Sequence, residues 1–307
     1  MVTEATPYAR YYKQLQFDSS NQPADGATIS TTKTSGRDGR VVQGVILGAP
    51  CFSVVQSSNP AIASRFRATG RRDSYAGPGP QMASDQFREG YTESLVTSRN
   101  FAVVSIDGRG SNGRGWNYRS AIYGALGTVE IDDQIQAIRQ MMKKYPFLDD
   151  RRLFVFGWSY GGFAAALMAE RAPEAFFKCA ISVAPVANFL FYDATYTERY
   201  MGNADRAAYD AGDIATNVSN FKKTRLLLIH GMYDDNVHFQ HSALFIEALQ
   251  RNNIGFDLMG EEISASHRYA PSTAGNGDDI LIIAPYVATR CASTSSHHHN
   301  TLLRALI

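Results

Sequence analysis

The stretch Phe154-Val155-Phe156-Gly157-Trp158-Ser159-Tyr160-Gly161-Gly162 decides the fold class. Residues 153–156 are an apolar run with the length of a short buried strand, and the small and apolar residues 163–170 favour a helix. Between them a serine lies in the pattern G-x-S-x-G. A strand, a tight turn and a helix around this pattern are typical of a nucleophile elbow, in which the strained turn makes the serine hydroxyl project. We therefore predict that Ser159 is a nucleophile rather than part of a chance match.

The composition indicates a folded protein without a strongly charged partner. Of the 307 residues 44% are hydrophobic and the net charge is +1, so a sizeable core is expected and nucleic-acid binding is not. No apolar stretch is long enough to span a bilayer, and residues 1–13 lack the apolar region of a signal peptide. Membrane association is therefore expected only through segments absent from this chain.

Cysteines and histidines give no sign of a metal site, and no cofactor is expected. Cys51, Cys179 and Cys291 lack metal-ligand spacing but allow one disulfide, for which Cys179 with Cys291 is the pair to test. The run of three histidines at 297–299 resembles a tag or a low-complexity tract. Asn217-Val218-Ser219 is a glycosylation sequon and a hint of secretion.

Strands alternate with helices from about residue 100 to residue 260, which predicts a mostly parallel sheet covered on both faces. Residues 1–40 are interpreted as loops with an outer strand or two, and residues 50–73, which are rich in arginine, as a solvated loop. Thr128 is a candidate N-cap for the helix that follows it. The predicted strands are 41–47, 101–106, 153–156, 179–183, 225–230 and 255–259, with a further candidate at 279–284, and the predicted helices start near residues 129, 163 and 239.

A serine hydroxyl needs a base, and the base needs a carboxylate that orients it. In the α/β-hydrolase order the acid and then the histidine follow the serine. The strand 225–230 is followed by Asp234 and Asp235, and catalytic groups gather at the carboxyl ends of such strands. The residues alone leave both aspartates open as the acid.

His267 is the candidate base, because it follows the next helix and strand. His230 is expected to be a strand-end histidine bonded to the backbone. His238 and His241 lie at a helix start and are expected to be structural or exposed.

Several motifs in the same order resemble the catalytic domain of dipeptidyl peptidase IV-like serine peptidases in the prolyl oligopeptidase family. The similarity runs from about residue 73 to residue 259 and implies the α/β-hydrolase fold. The motifs are Y-A-G-P at 75–78, D-G-R-G-S at 107–111, L-G-T-V-E at 126–130, G-W-S-Y-G-G at 157–162, Y-T-E-R-Y-M-G at 196–202 and D-D-N-V-H-F-Q at 234–240.

The resemblance implies an exopeptidase that removes X-Pro or X-Ala dipeptides from peptide N-termini. Ser159 would be the nucleophile, Asp234 rather than Asp235 the triad acid, and His267 the base. The oxyanion hole would pair the Tyr160 backbone N–H with the Tyr75 hydroxyl, and two such donors stabilise the developing alkoxide by about 3 kcal/mol each.

The resemblance also implies an apolar, aromatic-walled pocket that fits a pyrrolidine ring. Phe189 stands where close relatives usually have tryptophan, and Asn236 would bond the substrate carbonyl. By similarity the walls are Tyr160, Val186, Phe189, Tyr192, Tyr196 and Val237.

The sequence departs from the family at three places. First, this chain has no room for the β-propeller whose glutamates bind the substrate ammonium in the family. Second, residues 50–73 do not supply the strand that is expected before Tyr75. Third, residues 260–267 differ from the family's sequence around the candidate base His267. The predicted divisions are 1–72, a strand- and loop-rich segment; 73–267, the hydrolase domain; and 268–307, an atypical tail.

The departures leave two alternatives, a catalytically silent or truncated relative that acts as a binding or modulatory protein, and an esterase on the same fold. An HGGG-type oxyanion loop would favour the esterase, and the sequence contains none. The resemblance further implies peptide substrates, a homodimer and an extracellular or plasma-membrane location.

Overall fold

The computed structural model describes residues 78–80, 101–104, 106–144 and 148–261, together with four strands that lie before residue 58. A six-stranded sheet forms the centre of this part of the chain, in the order β10-β9-β8-β7-β4-β5. Its strands are β4 (Cys51–Ser57), β5 (Phe101–Val104), β7 (Leu148–Trp158), β8 (Cys179–Val183), β9 (Arg225–Gly231) and β10 (Asp257–Glu261).

Strands β7, β8, β9 and β10 pair in parallel, and β4 pairs antiparallel with both β7 and β5. The prediction of a mostly parallel sheet is confirmed. All residues of β8 are buried, and so is β9 after its first residue. Such continuous burial explains their largely apolar sequences, since helices cover parallel sheets on both faces.

Strand β4 corrects the interpretation of residues 50–73 as a solvated loop without a strand. Its Cα register places Val54 opposite both Val103 on β5 and Phe154 on β7. The arginines that made the segment look solvated begin only at Arg65, after the strand has ended. Two neighbouring strands supply backbone partners to β4, so a short apolar run suffices for its inclusion. Residues 58–73 lie outside the described residues.

A smaller sheet joins β1 (Tyr12–Leu15), β2 (Thr28–Ser35) and β3 (Val41–Gly44) in antiparallel pairs. The two-residue strand β6 (Ile106–Asp107) pairs with β2 and links this sheet to the region after β5. The outer strands expected before residue 40 are confirmed. The candidate strand at 279–284 lies outside the described residues.

Six helices occur within the described ranges. The helix that follows β7 is buried over nearly its whole length, as its small and apolar sequence requires. The helices are α1 (Trp116–Ser120), α2 (Val129–Lys144), α3 (Tyr160–Arg171), α4 (Ala194–Met201), α5 (Arg206–Ala211) and α6 (Gln240–Arg251), and single 3₁₀ turns occur at Phe189–Phe191 and Ser219–Lys222.

Helix α2 buries Ile131, Ile135 and Ile138 in the core, as its period predicted. Thr128 directly precedes the helix, but its hydroxyl donates to the Ala125 carbonyl instead of accepting from a helix N–H. The expectation that the Thr128 side chain caps the helix is therefore wrong, because the nearby loop carbonyl competes for the hydroxyl.

No helix in the described part of the chain is both long and apolar enough to cross a bilayer. Cys179, at the start of β8, is disulfide-bonded. Its predicted partner, Cys291, lies outside the described residues.

Candidate active site

Ser159 lies in the sharp turn between β7 and α3. Its backbone has φ 59° and ψ −121°, a combination that costs a residue with a Cβ about 1–3 kcal/mol. The turn is held on the neighbouring strand, since the Ser159 N–H donates to the Val183 carbonyl at 2.8 Å. The strained turn predicted from G-x-S-x-G is therefore present.

Gly162 allows α3 to approach β8 closely at this turn. A Cβ on Gly162 would lie 2.6 Å from the Val183 carbonyl oxygen and 3.3 Å from the Cα of Pro185. Because both obstacles are backbone or closely packed atoms, a larger residue would push the helix away from the sheet.

Asp234 follows β9 and is only 4% exposed. Its Oδ1 accepts the backbone N–H groups of Asn236 and Val237, each at 3.0 Å. These bonds fix the orientation of the carboxylate. The carboxyl ends of β7 and β9 lie on the same edge of the sheet, so Ser159 and Asp234 are on the same side of the molecule.

His230 is the histidine that approaches Asp234 within the described residues, with its Nε2 3.7 Å from Oδ2. Its Nε2 also lies 2.7 Å from the Val237 carbonyl, which can only accept, so Nε2 carries the proton. Nδ1 lies 2.6 Å from the hydroxyl oxygen of Ser242. Both ring nitrogens of this fully buried side chain are engaged, and His230 is the strand-end histidine bonded to backbone that the sequence predicted.

The base and one oxyanion donor stay predictions, because His267 and Tyr75 lie outside the described residues. His238 is exposed and His241 is buried. The expectation that these two are exposed or structural is met.

The predicted pocket residues come together as one aromatic cluster. Phe189 lies 5.9 Å from Tyr160 and stacks on Tyr196 at 6.3 Å between ring centroids, and Tyr192 meets Tyr196 edge-on at 5.4 Å. The Tyr192 hydroxyl donates to Oδ1 of the exposed Asn236 at 3.0 Å, which links the cluster to the turn that begins at Asp234.

Val186 and Val237 are both buried, at 2% and 0% exposure, and belong to the same core as the aromatic rings. The asparagine amide and the tyrosine rings therefore border an apolar wall. Such a wall with few polar groups is typical of small-molecule and peptide subsites.

Glu130 is a buried carboxyl to which the sequence analysis assigned no role. It accepts the N–H groups of Gly127 and Thr128 and the hydroxyl of Tyr160, the last at 2.7 Å. Burial raises its pKa, while these hydrogen bonds oppose the shift. Glu130 thus holds the ring of Tyr160 beside Ser159. The sequence shows only an acidic residue in the first turn of α2, which does not indicate its contact with Tyr160.

His241 is a second buried group of this kind. Its Nδ1 accepts the N–H of Ala187 at 3.0 Å, and the ring also bonds the Phe191 backbone. Desolvation, followed by the nearby His230, lowers the pKa of His241 to about 4. It ties α6 to the segment that carries Phe189.

The D-G-R-G turn at 107–110 is fastened to α2 by Arg109, whose guanidinium forks onto the Asp133 carboxylate with a shortest distance of 2.7 Å. The carbonyl of Gly110 accepts the N–H of Gly79 at 3.0 Å. The motif therefore anchors residues 78–80, which directly follow the Y-A-G stretch in the sequence.

Residues 78–80 also reach the aromatic cluster. The Tyr200 hydroxyl donates to the Pro78 carbonyl at 3.3 Å, and the Tyr200 ring packs against Tyr196 at 4.7 Å. The end of the Y-A-G-P motif, the serine turn and the aromatic cluster therefore belong to one region. No cluster of three metal-ligating side chains occurs among the described residues.

This combination of a strained serine, a buried aspartate and an aromatic cluster agrees with comparisons to known proteins. The sequence pattern of the prolyl oligopeptidase family, peptidase S9, matches residues 86–287. The chain belongs to this family. The resemblance stated from the motifs alone is thereby confirmed.

Relatives of this prolyl oligopeptidase family member are named as dipeptidyl peptidases. Dipeptidyl peptidase family member 1 of Caenorhabditis elegans is 56% identical over 186 residues, which are 60% of this chain and 23% of that protein. Dipeptidyl peptidase 4 of Bos taurus is 43% identical over 206 residues, which are 65% of this chain and 26% of the relative. The chain thus spans about a quarter of the length of these curated relatives.

A solved structure agrees with the fold. The crystal structure of Porphyromonas gingivalis dipeptidyl peptidase 4 superposes with a TM-score of 0.64 at 27% identity, and the match covers 86% of this chain and 35% of that one. The predicted α/β-hydrolase fold is confirmed, and no propeller is present in the described residues.

Proposed function

We propose that this chain carries the catalytic domain of a serine peptidase that releases X-Pro and X-Ala dipeptides from peptide N-termini. The observation that carries the proposal is the backbone of Ser159, held at φ 59° between β7 and the N-terminus of α3. Strain of this kind persists only where the surroundings impose it, and it concentrates at functional sites.

In the proposed reaction the Ser159 hydroxyl attacks the carbonyl carbon of the scissile bond and forms an acyl-enzyme. His267 takes the hydroxyl proton and passes it to the leaving amine, and water then releases the dipeptide. Asp234 orients the histidine and stabilises its protonated form. Two backbone hydrogen bonds to Asp234 Oδ1 support this role, because they hold the carboxylate in place.

The oxyanion of the tetrahedral intermediate is assigned to two donors. The first is the Tyr160 N–H, the first backbone donor of α3, where the helix dipole favours negative charge. The second is the Tyr75 hydroxyl. Support for the second comes from Pro78, three residues later in the sequence, whose carbonyl is bonded to Tyr200 beside the aromatic cluster.

Specificity for proline or alanine is assigned to the aromatic cluster. Its walls are rigid rings and buried valines, which accept a flat pyrrolidine ring or a methyl group without a polar partner. Asn236 is exposed and hydrogen-bonded to Tyr192, so its amide is placed to bond a substrate carbonyl. Recognition of the substrate ammonium is left to parts of the relatives that this chain does not match.

Fluorophosphonate labelling tests the proposal directly. The full chain is expected to label at Ser159, and labelling should disappear in Ser159→Ala and fall strongly in His267→Ala and Asp234→Asn. Asp235→Asn is the matched control, since the exposed neighbouring carboxylate has no assigned role and labelling should persist.

Chromogenic substrates then separate the candidate functions. Hydrolysis of Gly-Pro and Ala-Pro anilides in preference to Gly-Gly anilide supports the proposal, whereas hydrolysis of acyl esters alone would favour the esterase. A chain that is folded by circular dichroism but does not label would be a silent relative, and the triad assignment would be wrong.

The division of the chain at residues 72 and 267 also stays a proposal, although β4 of the first segment pairs with β5 and β7 of the second, and so does the homodimer. Limited proteolysis with mass spectrometry locates the first, and light scattering of the purified chain measures the second.

A further inference from the structure

One sequence motif has no part in the proposed active site. Asn217-Val218-Ser219 is the sole N-x-S/T sequon in the 307 residues. Asn217 and Ser219 are exposed, whereas Val218 between them is only 3% exposed. The backbone therefore turns the acceptor side chain and the hydroxyl toward solvent while the middle residue anchors the loop.

The loop is fixed on the C-terminal end of α3. Asn220 donates from Nδ2 to the carbonyls of Glu170 and Ala172, the latter at 2.9 Å, and Phe221 is buried. These contacts satisfy carbonyls at the helix end that have no partner within the helix. Asn217 thus projects from an ordered support, and a bulky group on its amide would enter solvent.

The same contacts separate the sequon from the proposed nucleophile. Ser159 precedes the first residue of α3, and the loop that holds Asn217 contacts its last turn. A helix of 12 residues is about 18 Å long. A large group on Asn217 therefore lies at the opposite end of α3 from the serine turn.

Cys179 gives an independent indication of the compartment. It is disulfide-bonded, and disulfides form and persist in the lumen of the endoplasmic reticulum and outside the cell. The enzyme that attaches N-linked glycans acts in that lumen on N-x-S/T sequences. In a eukaryotic cell, a chain that acquires this disulfide therefore passes through the compartment where Asn217 can be modified.

From the single exposed sequon, its ordered support and the disulfide, we propose that Asn217 carries an N-linked glycan. In the transfer, Asn217 Nδ2 forms a bond to C1 of the first sugar of a lipid-linked oligosaccharide. The bond from C1 to the pyrophosphate oxygen breaks, the lipid pyrophosphate leaves with the electron pair, and a base on the transferase takes one amide proton. Ser219 supplies the hydroxyl of the sequon; in the folded chain it donates to Asn217 Oδ1 at 2.9 Å.

The full chain, directed into the secretory pathway of cultured human cells, provides the test. The secreted wild-type protein should show one discrete mobility shift after peptide N-glycosidase treatment. Asn217→Gln and Ser219→Ala should migrate with the deglycosylated protein before any treatment. Ser219→Thr keeps the sequon and should retain the shift, and so should Asn203→Gln, which alters an exposed asparagine outside a sequon.

Mass spectrometry of the wild-type protein decides the matter even if a variant is not secreted. The tryptic peptide 207–222 contains Asn217, which the glycosidase converts to aspartate only where a glycan was attached. Conversion at Asn217 supports the proposal. Secreted wild-type protein in which this peptide is unmodified would overturn it, whatever the result of fluorophosphonate labelling.

Discussion

Replacing Glu170 with glutamine is expected to stabilise the protein at neutral and alkaline pH. Glu170 lies in the last turn of α3, where it is 8% exposed and its Oε2 has no hydrogen-bond partner among the described residues. Burial raises the pKa of its carboxyl to about 8, with Arg171 opposing the shift and Asp213 adding to it. The negative end of the helix dipole also disfavours a carboxylate at this position.

The magnitude follows from the difference between this pKa and the ordinary value of 4.5. The folded state holds a proton on Glu170 that the unfolded chain releases, so the contribution of Glu170 to the free energy of unfolding falls as the pH rises from 4.5 toward 8. At about 1.4 kcal/mol per pH unit, the loss between pH 4.5 and pH 7 is about 3 kcal/mol. Glutamine does not titrate, and its buried amide without a partner costs about 1 kcal/mol at every pH.

Urea unfolding followed by circular dichroism at a series of pH values measures this difference. Glu170→Gln should be slightly less stable than the wild type near pH 4.5 and more stable by about 2 kcal/mol near pH 7. Glu247→Gln is the control, because Glu247 is 54% exposed in its pair with Arg251 and its substitution should shift stability little at any pH. Wild-type and Glu170→Gln curves that stay parallel across this range would refute the assignment of a protonated, buried carboxyl.

Three further substitutions test the contacts around the serine turn. Gly162→Ala places a methyl group against the Val183 carbonyl. It should lower the free energy of unfolding by about 1–3 kcal/mol and slow fluorophosphonate labelling. Unchanged labelling would contradict the close approach of α3 to β8. Tyr160→Phe removes a donor from buried Glu130 and should cost about 1–3 kcal/mol in urea unfolding, while labelling persists because the backbone N–H remains. His241 has a pKa lowered to about 4 from 6.5. Relative to His241→Gln, the wild type should therefore lose about 3 kcal/mol of stability as the pH drops from 6.5 to 4, and parallel curves for the two proteins in urea unfolding would contradict the shift.

The sequence predicted those elements whose signals are local. The apolar run before Ser159, the two glycines and the small residues after it define strand, turn and helix within one window. Helices α4 and α5 were not predicted, although aspartates cap both: Asp193 accepts from Thr195 and Tyr196, and Asp205 accepts from Ala208. These short helices lie between core elements and lack the long apolar period on which helix prediction depends.

Sequence motifs indicated candidate site residues, but they did not indicate the contacts between segments that are far apart in the sequence. The choice of Asp234 over Asp235 and the membership of the aromatic cluster came from the family resemblance and not from local spacing. The bonds from Tyr160 to Glu130 and from Ala187 to His241 join residues 30 and 54 positions apart. No pattern in one sequence indicates such pairs, because they depend on which elements the sheet places side by side.

The position of β4 has a consequence for how the chain can be divided. It is the antiparallel strand between β5 and β7, and it pairs with a strand that follows it by about one hundred residues. Contacts between such distant segments form late in folding and slowly. A fragment that starts at residue 73 would lack this strand, so β5 and β7 would each be left with an unpaired edge inside the molecule, open to pairing with another chain. The N-terminal segment is thus a structural part of the hydrolase sheet rather than an appendage to it.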